Sequence, residues 1–206
     1  VTSTDAVGRA GRRPVDKFED RRRELADAAL RTLATLGYAR TSLREIAQNS
    51  EFSHGVLHYY FRDKVELITY CVQRFKTQCV ERYDAIATHA TDADTLARDA
   101  GDGLVATLES DALMHRLWYD LRSQSMFEES FRLDVADIDT SLERMIWRIV
   151  TTYARLVGRE PATTSGLAYA AFDGLFAQAL VRHLADDPAA LDDLRSGTRL
   201  LLERLV

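Results

Sequence analysis

Proline is nearly missing from this sequence: there are three in 206 residues, alongside ten glycines. With few runs of β-branched residues, that leaves little material for a turn-rich sandwich or barrel and predicts an all-α chain. Long apolar runs are missing too. No stretch approaches the roughly 20 residues that a helix needs to cross a bilayer, and charges stand near the N-terminus where a secretory signal would be apolar, so no membrane partner and a cytoplasmic location are expected. Only two cysteines occur, Cys71 and Cys79. On one helix they would stand about 12 Å apart along the axis, too far to bond, and are expected to be packed thiols. The sequence also lacks a G-x-S-x-G elbow, a Walker loop, paired cysteine clusters and a dinucleotide fingerprint, so neither an enzyme nor a cofactor is predicted.

What is present is a sizeable apolar fraction, 46%, with 29% charged residues, enough for one or two domains with a real core. The formal charge of -5 is unevenly spread. Residues 1–70 hold 12 basic and 10 acidic side chains, whereas residues 71–206 hold 15 and 22. A mildly basic head on an acidic body suggests that only the head meets an anionic partner.

The stretch Thr41 to Lys64, TSLREIAQNSEFSHGVLHYYFRDK, predicts two short helices and the start of a third. Ser42 and Glu45 have the spacing of a capping box, and Leu43, Ile46 and Ala47 give the first helix one apolar face. Ser53 is the next N-cap, flanked by Phe52 and Leu57 at the spacing of a hydrophobic staple. Asp63 can cap the long helix that follows. Two short helices joined by a tight turn make a helix-turn-helix, whose second helix fits the major groove of DNA. On that helix Val56, Leu57 and Phe61 can face inward, leaving His54, Gly55, His58 and Tyr59 toward the groove. Gly55 allows close backbone approach, the histidines can reach bases or phosphates, and Tyr59 offers a phenol. Ser53 at its N-cap, Thr41 or Ser42, and Lys64 are placed to hold phosphates. His54 and His58 also have the i, i+4 spacing of a helical metal pair, and Glu51 and His54 form a lone E-x-x-H; with no further ligand nearby, no metal is predicted.

Ahead of this unit, residues 1–18 read as a flexible basic arm containing Arg9, Arg12 and Arg13, able to reach a minor groove or to remain a solvated end. A first long helix is predicted from about Phe18 to Leu36, stopped by Gly37. Arg21, Arg22 and Arg23 near its start oppose the helix dipole, either to contact phosphate or to pair with Glu19, Asp20 and Glu24. Residues 19–66 are thus expected to form the DNA-binding domain and 67–206 a helical ligand-binding and dimerisation domain.

Gly37-Tyr38, Thr41-x-x-x-x-Ile46-Ala47, Ser53-x-Gly55-x-Leu57-x-Tyr59-x-Phe61 and Lys64-x-x-Leu67 together resemble the N-terminal domain of the TetR family of transcriptional repressors. The resemblance covers roughly residues 20 to 70. It implies a homodimer that binds a palindromic operator and is released by a small molecule held in the body. The chain departs from the family in two places. Glu51 stands in the turn where the family usually has glycine, and His58 and Tyr60 replace the usual tyrosine and frequent histidine, so base preferences do not carry over from relatives. HYYFRDK and the FDGLF stretch, Phe172 to Phe176, resemble a branch that includes choline-responsive betaine regulators. Drugs, acyl thioesters and sterol-like acids are ligands elsewhere in the family.

In the body, long helices are predicted over Asp63 to His89, Thr95 to Leu108, Ala112 to Ser123, about Ile138 to Leu156, and Thr164 to Ala185. A last helix is predicted after an Asp187-Pro188 start. Aromatics at helical spacing mostly fill cores, but Trp118, Tyr119, Trp147 and Tyr153 are those expected nearest an internal cavity, and a cage around Trp118 and Tyr119 would suit a cation. Phe75, Cys79 and His115 are expected beside them, with Arg122, Met145, Ile149 and Phe172. Leu191, Leu194, Thr198, Leu201 and Leu205 alternate at steps of three and four, a coiled-coil-like seam. With Phe176 and Leu180 of the preceding helix, they are expected at a four-helix interface between two copies. Two alternatives compete: a helical-bundle binding protein or enzyme with a vestigial head, and an architectural DNA protein whose body has no cavity.

Overall fold

Short polar side chains set most of the helix starts. The computed structural model describes residues 14–37 and 41–206. Its helices are α1 (Pro14–Leu36), α2 (Leu43–Gln48), α3 (His54–Tyr60), α4 (Lys64–His89), α5 (Ala93–Gln124), α6 (Arg132–Val157), α7 (Ser165–His183) and α8 (Ala190–Leu205), with a 3-10 turn at Glu129–Phe131. Ser42 Oγ accepts the Glu45 amide at 3.2 Å, and the Glu45 carboxylate takes the Ser42 amide at 2.7 Å, completing the capping box. Ser53, Asp63, Asp92 and Thr164 cap α3, α4, α5 and α7 with the first half of that arrangement, each side chain accepting one backbone amide. Each such cap is worth about 0.5–2 kcal/mol against alanine. Gly37 and Gly158 end α1 and α6 at φ +76° and +69°, a conformation in which a Cβ would clash. Among the described residues no helix is long and apolar enough to cross a membrane.

Several boundaries differ from those predicted, including that of α6, which starts at Arg132 rather than about Ile138. Helix α1 starts at Pro14 rather than Phe18, since proline suits a first helical turn, so residues 14–17 continue the helix. Arg12 and Arg13 lie outside the described residues. The break predicted between the helices ending near Leu108 and starting near Ala112 is a kink within α5, where Asp111 takes the non-helical φ −130° and ψ 21°; Ser110 Oγ donates to the Asp111 carboxylate there. Helix α8 begins at Ala190, after Pro188 rather than with it. Asp187 instead accepts the Ala189 amide at 2.9 Å and an Arg182 bond at 2.7 Å, closing the turn before the helix.

Helices α1 to α3 pack around Leu25, Ala29, Leu33, Ile46, Leu57 and Phe61, all buried. The body is a bundle in which α4 lies against α6, α5 against α8, and α7 against both α6 and α8. One continuous apolar core joins head to body. Cys71 and Cys79 are free buried thiols, and Cys71 Sγ sits 3.4 Å from the Ala26 carbonyl. Burial raises the pKa of both.

Arg22 of α1 fastens the head to α4. Its guanidinium lies 2.5 Å from the Glu66 carboxylate and covers the rings of Phe61 and Tyr70 at 4.9 and 4.5 Å. Burial raises the Glu66 carboxyl, but hydrogen bonds from Arg62 and the charges of Arg22 and Arg62 outweigh it and hold the group below the usual glutamate range. A carboxylate held low stabilises the fold above its unfolded pKa and loses that contribution as pH falls through its folded one. Glu66→Gln is therefore expected to destabilise the protein by about 1–2 kcal/mol near neutral pH and by much less near about pH 3. Urea titrations at the two pH values check this.

Candidate functional site

Leu57 and Phe61, both buried, hold α3 by its inner face, and Val56 is partly buried beside them. Ser53, His54, Gly55, His58 and Tyr59 are exposed on the other side. Tyr59 is 73% exposed, while the His54 and His58 rings meet edge to face at 4.4 Å. Among the described residues no three histidine, cysteine or acidic side chains gather as metal ligands would. The turn before α3 needs no left-handed residue at Glu51, because Asp186 is the only non-glycine with positive φ among the described residues. Ser50 Oγ takes the Phe52 amide instead, at 3.3 Å.

The phosphate-facing set needs one correction. Thr41 is buried and its hydroxyl donates to the Gly37 carbonyl at 2.7 Å, so its side chain closes the end of α1 rather than facing outward. Ser42 is exposed and Lys64 half-buried at the start of α4. Sequence reasoning passed over Arg44, exposed on α2. Its place one residue after Leu43 and two before Ile46, off the apolar face, was the available signal. Arg21, Arg22 and Arg23 of α1 are paired: Arg21 with Glu24, Arg23 with Asp20, and Arg22 with Glu66.

The body contains a cavity of about 520 Å³ of space free of protein atoms, part of it open to solvent. Cys79, His115, Trp118, Tyr119, Met145 and Phe172 line it, as expected. Five expected residues do not. Phe75 stands behind His115, with ring centroids 5.1 Å apart, and Arg122 bonds to the outer side of Asp173. Ile149 and Tyr153 are buried along α6, away from the lining, and Trp147 is partly buried without reaching it. Phe176, predicted at an interface between copies, lines the cavity instead. Lys76, Tyr83, Thr107, Tyr169 and Asp173 complete its polar lining and were missed. For Lys76 the signal existed: it follows Val72 by four residues and precedes Cys79 by three, on the face that α4 buries.

Two polar groups face this space. Asp173 accepts Tyr119 at 3.0 Å and Arg122 at 2.6 Å, and Arg122 also reaches Asp139 at 3.3 Å. Burial, then the Asp173 charge, raises the Tyr119 phenol, so it stays a donor. Across the cavity Lys76 Nζ lies 3.1 Å from His115 Nδ1, 5.3 Å from the centre of the Trp118 ring and 5.7 Å from that of Phe75. Burial lowers Lys76 to about 8, with Cys79, Asp173 and Asp139 drawing it back up. Burial, together with the Lys76 charge, pushes His115 down to about 2. Near neutral pH the lysine is therefore charged and the imidazole neutral. Nδ1 accepts from the ammonium, which places the ring proton on Nε2.

The residues predicted at an interface between copies are packed within the subunit itself to different extents. Phe176, Leu180, Leu194 and Thr198 are buried within the subunit, and Leu191, Leu201 and Leu205 are partly buried against its core. The apolar residues left outside are Leu167 and Val181 of α7, 65% and 68% exposed, with Leu184 and Leu200.

Comparison with known proteins agrees with this geometry. The family of bacterial regulatory proteins, tetR family, matches residues 25–71. The HTH-type transcriptional regulator BetI of Burkholderia thailandensis is 30% identical over 191 residues, covering 89% of this chain and 94% of that protein. Among solved structures, a chain from Saccharomonospora viridis in complex with choline superposes with a TM-score of 0.74 at 17% identity, covering 90% of this chain and 96% of its own. FadR of Bacillus subtilis, in complex with stearoyl-CoA, gives 0.71 at 18%, covering 89% and 97%. These two share the fold. With the helix-turn-helix on the page and a relative matched along nearly its whole length, the chain belongs to the TetR family of bacterial regulatory proteins.

Proposed function

We propose that this ligand-responsive transcriptional regulator is a cytoplasmic repressor, that it binds a palindromic operator as a homodimer, and that a small molecule in the body cavity releases it. The observation that carries the reading is the continuity of α4. The helix begins at Lys64, beside the exposed face of α3, and the same helix supplies Lys76, Cys79 and Tyr83 to the cavity wall. From Lys64 to Lys76 is about 18 Å along a helix axis. A ligand that moves the cavity wall therefore tilts the element on which the head is mounted, and a change in head separation makes the DNA-fitting state rare. The cavity itself favours this over an architectural DNA protein, and the exposed polar face of α3 favours it over a vestigial head.

The proposed dimer surface is the outer stripe of α7, with Leu167, Ala170, Gly174 and Val181, flanked by Leu184 and Leu200. A Cβ built on Gly174 meets nothing within 4 Å, leaving room for a second helix to approach. The proposed domain division is a DNA-binding unit through residue 66 and a ligand-binding and dimerisation unit beyond it.

The proposed DNA contacts divide by role. Lys64, with Ser42 and Arg44, holds phosphates; His54, Gly55 and His58 face the bases. Lys64→Ala is expected to weaken binding to every duplex and to lower the salt dependence by about one ion, whereas His54→Ala shifts preference between operator variants by about 1–3 kcal/mol. Anisotropy titrations on an operator found by footprinting upstream of the protein's own gene check this. Equal losses on all sequences in both variants would sink the division of roles, and a wild type indifferent to sequence would sink the operator reading.

One observation favours choline as effector: the solved neighbour that holds it has the same fold, and the cavity here is lined by Trp118, Tyr119, Tyr169, Phe172 and Phe176. Against it stands Lys76, whose own ammonium already lies over the Trp118 ring.

A further inference from the structure

The cavity contains a cation with no anion of its own. Lys76 is 5% exposed, its Nζ bonds to the neutral His115 at 3.1 Å, and among the described residues it has no carboxylate partner. The carboxylate that shares the cavity, Asp173, is already held by Tyr119 and Arg122. His115 is also 5% exposed, and its Nε2 has no hydrogen-bond partner. A buried ammonium without a counter-ion and a buried N–H without an acceptor are each costly, and the two belong to adjacent side chains. An ammonium has three donors, of which the imidazole takes one. Lys76 thus lacks an oxygen acceptor carrying negative charge, and His115 Nε2, on the side of the ring turned away from Lys76, lacks an acceptor of its own. Tyr83, Thr107, Tyr119 and Tyr169 also line the cavity, and the rest of its wall is apolar, including Leu104, Leu142, Met145, Ile146 and Phe172. That division, one ammonium without a carboxylate partner beside a largely apolar wall, is the shape of a site for an amphipathic ion. A quaternary ammonium would meet like charge at the Trp118 face, whereas an anion placed beside Lys76 is neutralised there.

We propose that Lys76, positioned by His115, is the anchor of an anion subsite and that the ligand of this cavity is an organic carboxylate with an apolar tail. The carboxylate accepts from Lys76, which His115 Nδ1 holds in place, and the tail lies against the α5, α6 and α7 walls. The assignment rests on the cavity being the ligand site of the proposed regulator.

The test uses the full chain. Calorimetric titrations and thermal shifts are recorded with straight-chain carboxylates from butanoate to dodecanoate and with phenylacetate, with the matching primary amides, and with choline. At least one carboxylate is expected to bind, its amide at least about tenfold more weakly, and choline not at all. Lys76→Met, which keeps side-chain length and removes a buried charge, is expected to stay folded and to lose about tenfold or more in carboxylate affinity while amide affinity holds. The acid-against-amide comparison needs no variant and decides the matter if Lys76→Met does not fold. Equal binding of acid and amide, unchanged carboxylate affinity in Lys76→Met, binding of choline alone, or binding of nothing in the series would each overturn the assignment. Operator anisotropy separates this from the regulatory reading. A carboxylate that binds through Lys76 without releasing DNA supports the subsite and removes the effector role, whereas release by choline alone removes the subsite and keeps the effector role.

Discussion

Val181→Glu is expected to convert the protein from dimer to monomer and to lower its operator affinity by at least about a hundredfold. Val181 is 68% exposed on α7, one side of a stripe that includes Leu167 and Gly174, so the single chain tolerates a carboxylate there without internal strain. A twofold interface places the same patch of each copy against its mate, and two glutamates would be brought together as water is excluded. Neither has a partner to neutralise it, so association fails while folding does not. The effect on DNA follows from linkage: in a dimer the second head binds from an effective concentration set by the first, and a monomer loses that advantage. Sedimentation gives the oligomeric state, and anisotropy on a full palindrome and on a half-site gives the coupling. The wild type should distinguish the two duplexes and Val181→Glu should not. A Val181→Glu dimer with intact affinity would move the interface elsewhere, whereas a wild type already monomeric at micromolar concentration would end the homodimer proposal.

Phe61→Ala should be the most damaging truncation in the head, at about 3–5 kcal/mol. Phe61 is buried at the joint where α3 hands over to α4, with the Arg22 guanidinium 4.9 Å from its ring centre and the Tyr70 ring 5.6 Å away edge-on. Removing it leaves a cavity beneath the ion pair that ties α1 to α4, and the loss is a large part of the roughly 5–15 kcal/mol that stabilises an ordinary domain. Tyr59→Ala, two residues earlier, provides the contrast. Its ring is mostly exposed, touching Phe18 and Tyr60 at 6.2 and 5.0 Å, so stability should change by less than about 1 kcal/mol. DNA affinity should fall nonetheless, through loss of the phenol. Urea unfolding followed by circular dichroism, with anisotropy on the same samples, separates the two. If Phe61→Ala unfolds at the wild-type midpoint, the joint is not packed as described.

Local signals explain why the head was so legible. Ser42 with Glu45, Ser53 with Val56, and Asp63 with Glu66 bond within three residues of each other, so the side chain that starts each helix and the amide it satisfies are neighbours in sequence. The apolar periods of α2 and α3 then leave a single way to turn each helix, and His54, Gly55, His58 and Tyr59 fall outside by elimination. Thr41 escaped that logic because its hydroxyl donates to the Gly37 carbonyl, a contact that no helical period announces.

The body was legible as helices but not as faces. Helix α7 is apolar nearly all round, so no period says whether Phe176 or Val181 is inside; packing against α6 and α8 buries the first and leaves the second out. In α8 the seam residues Leu194 and Thr198 were visible, but the subunit's own α5 and α7 use them. The cavity's charged corner needed tertiary structure most of all, because Lys76 and His115 are 39 residues apart on different helices. Sequence by itself determined the all-α class, the capped helix-turn-helix and its exposed α3 face, since each follows from contacts within a few residues. Only the packing of α4 through α8 decided which apolar side chains are core, which remain for a second copy, and which ammonium is left inside without a counter-ion, because burial belongs to the assembled bundle and not to any one helix.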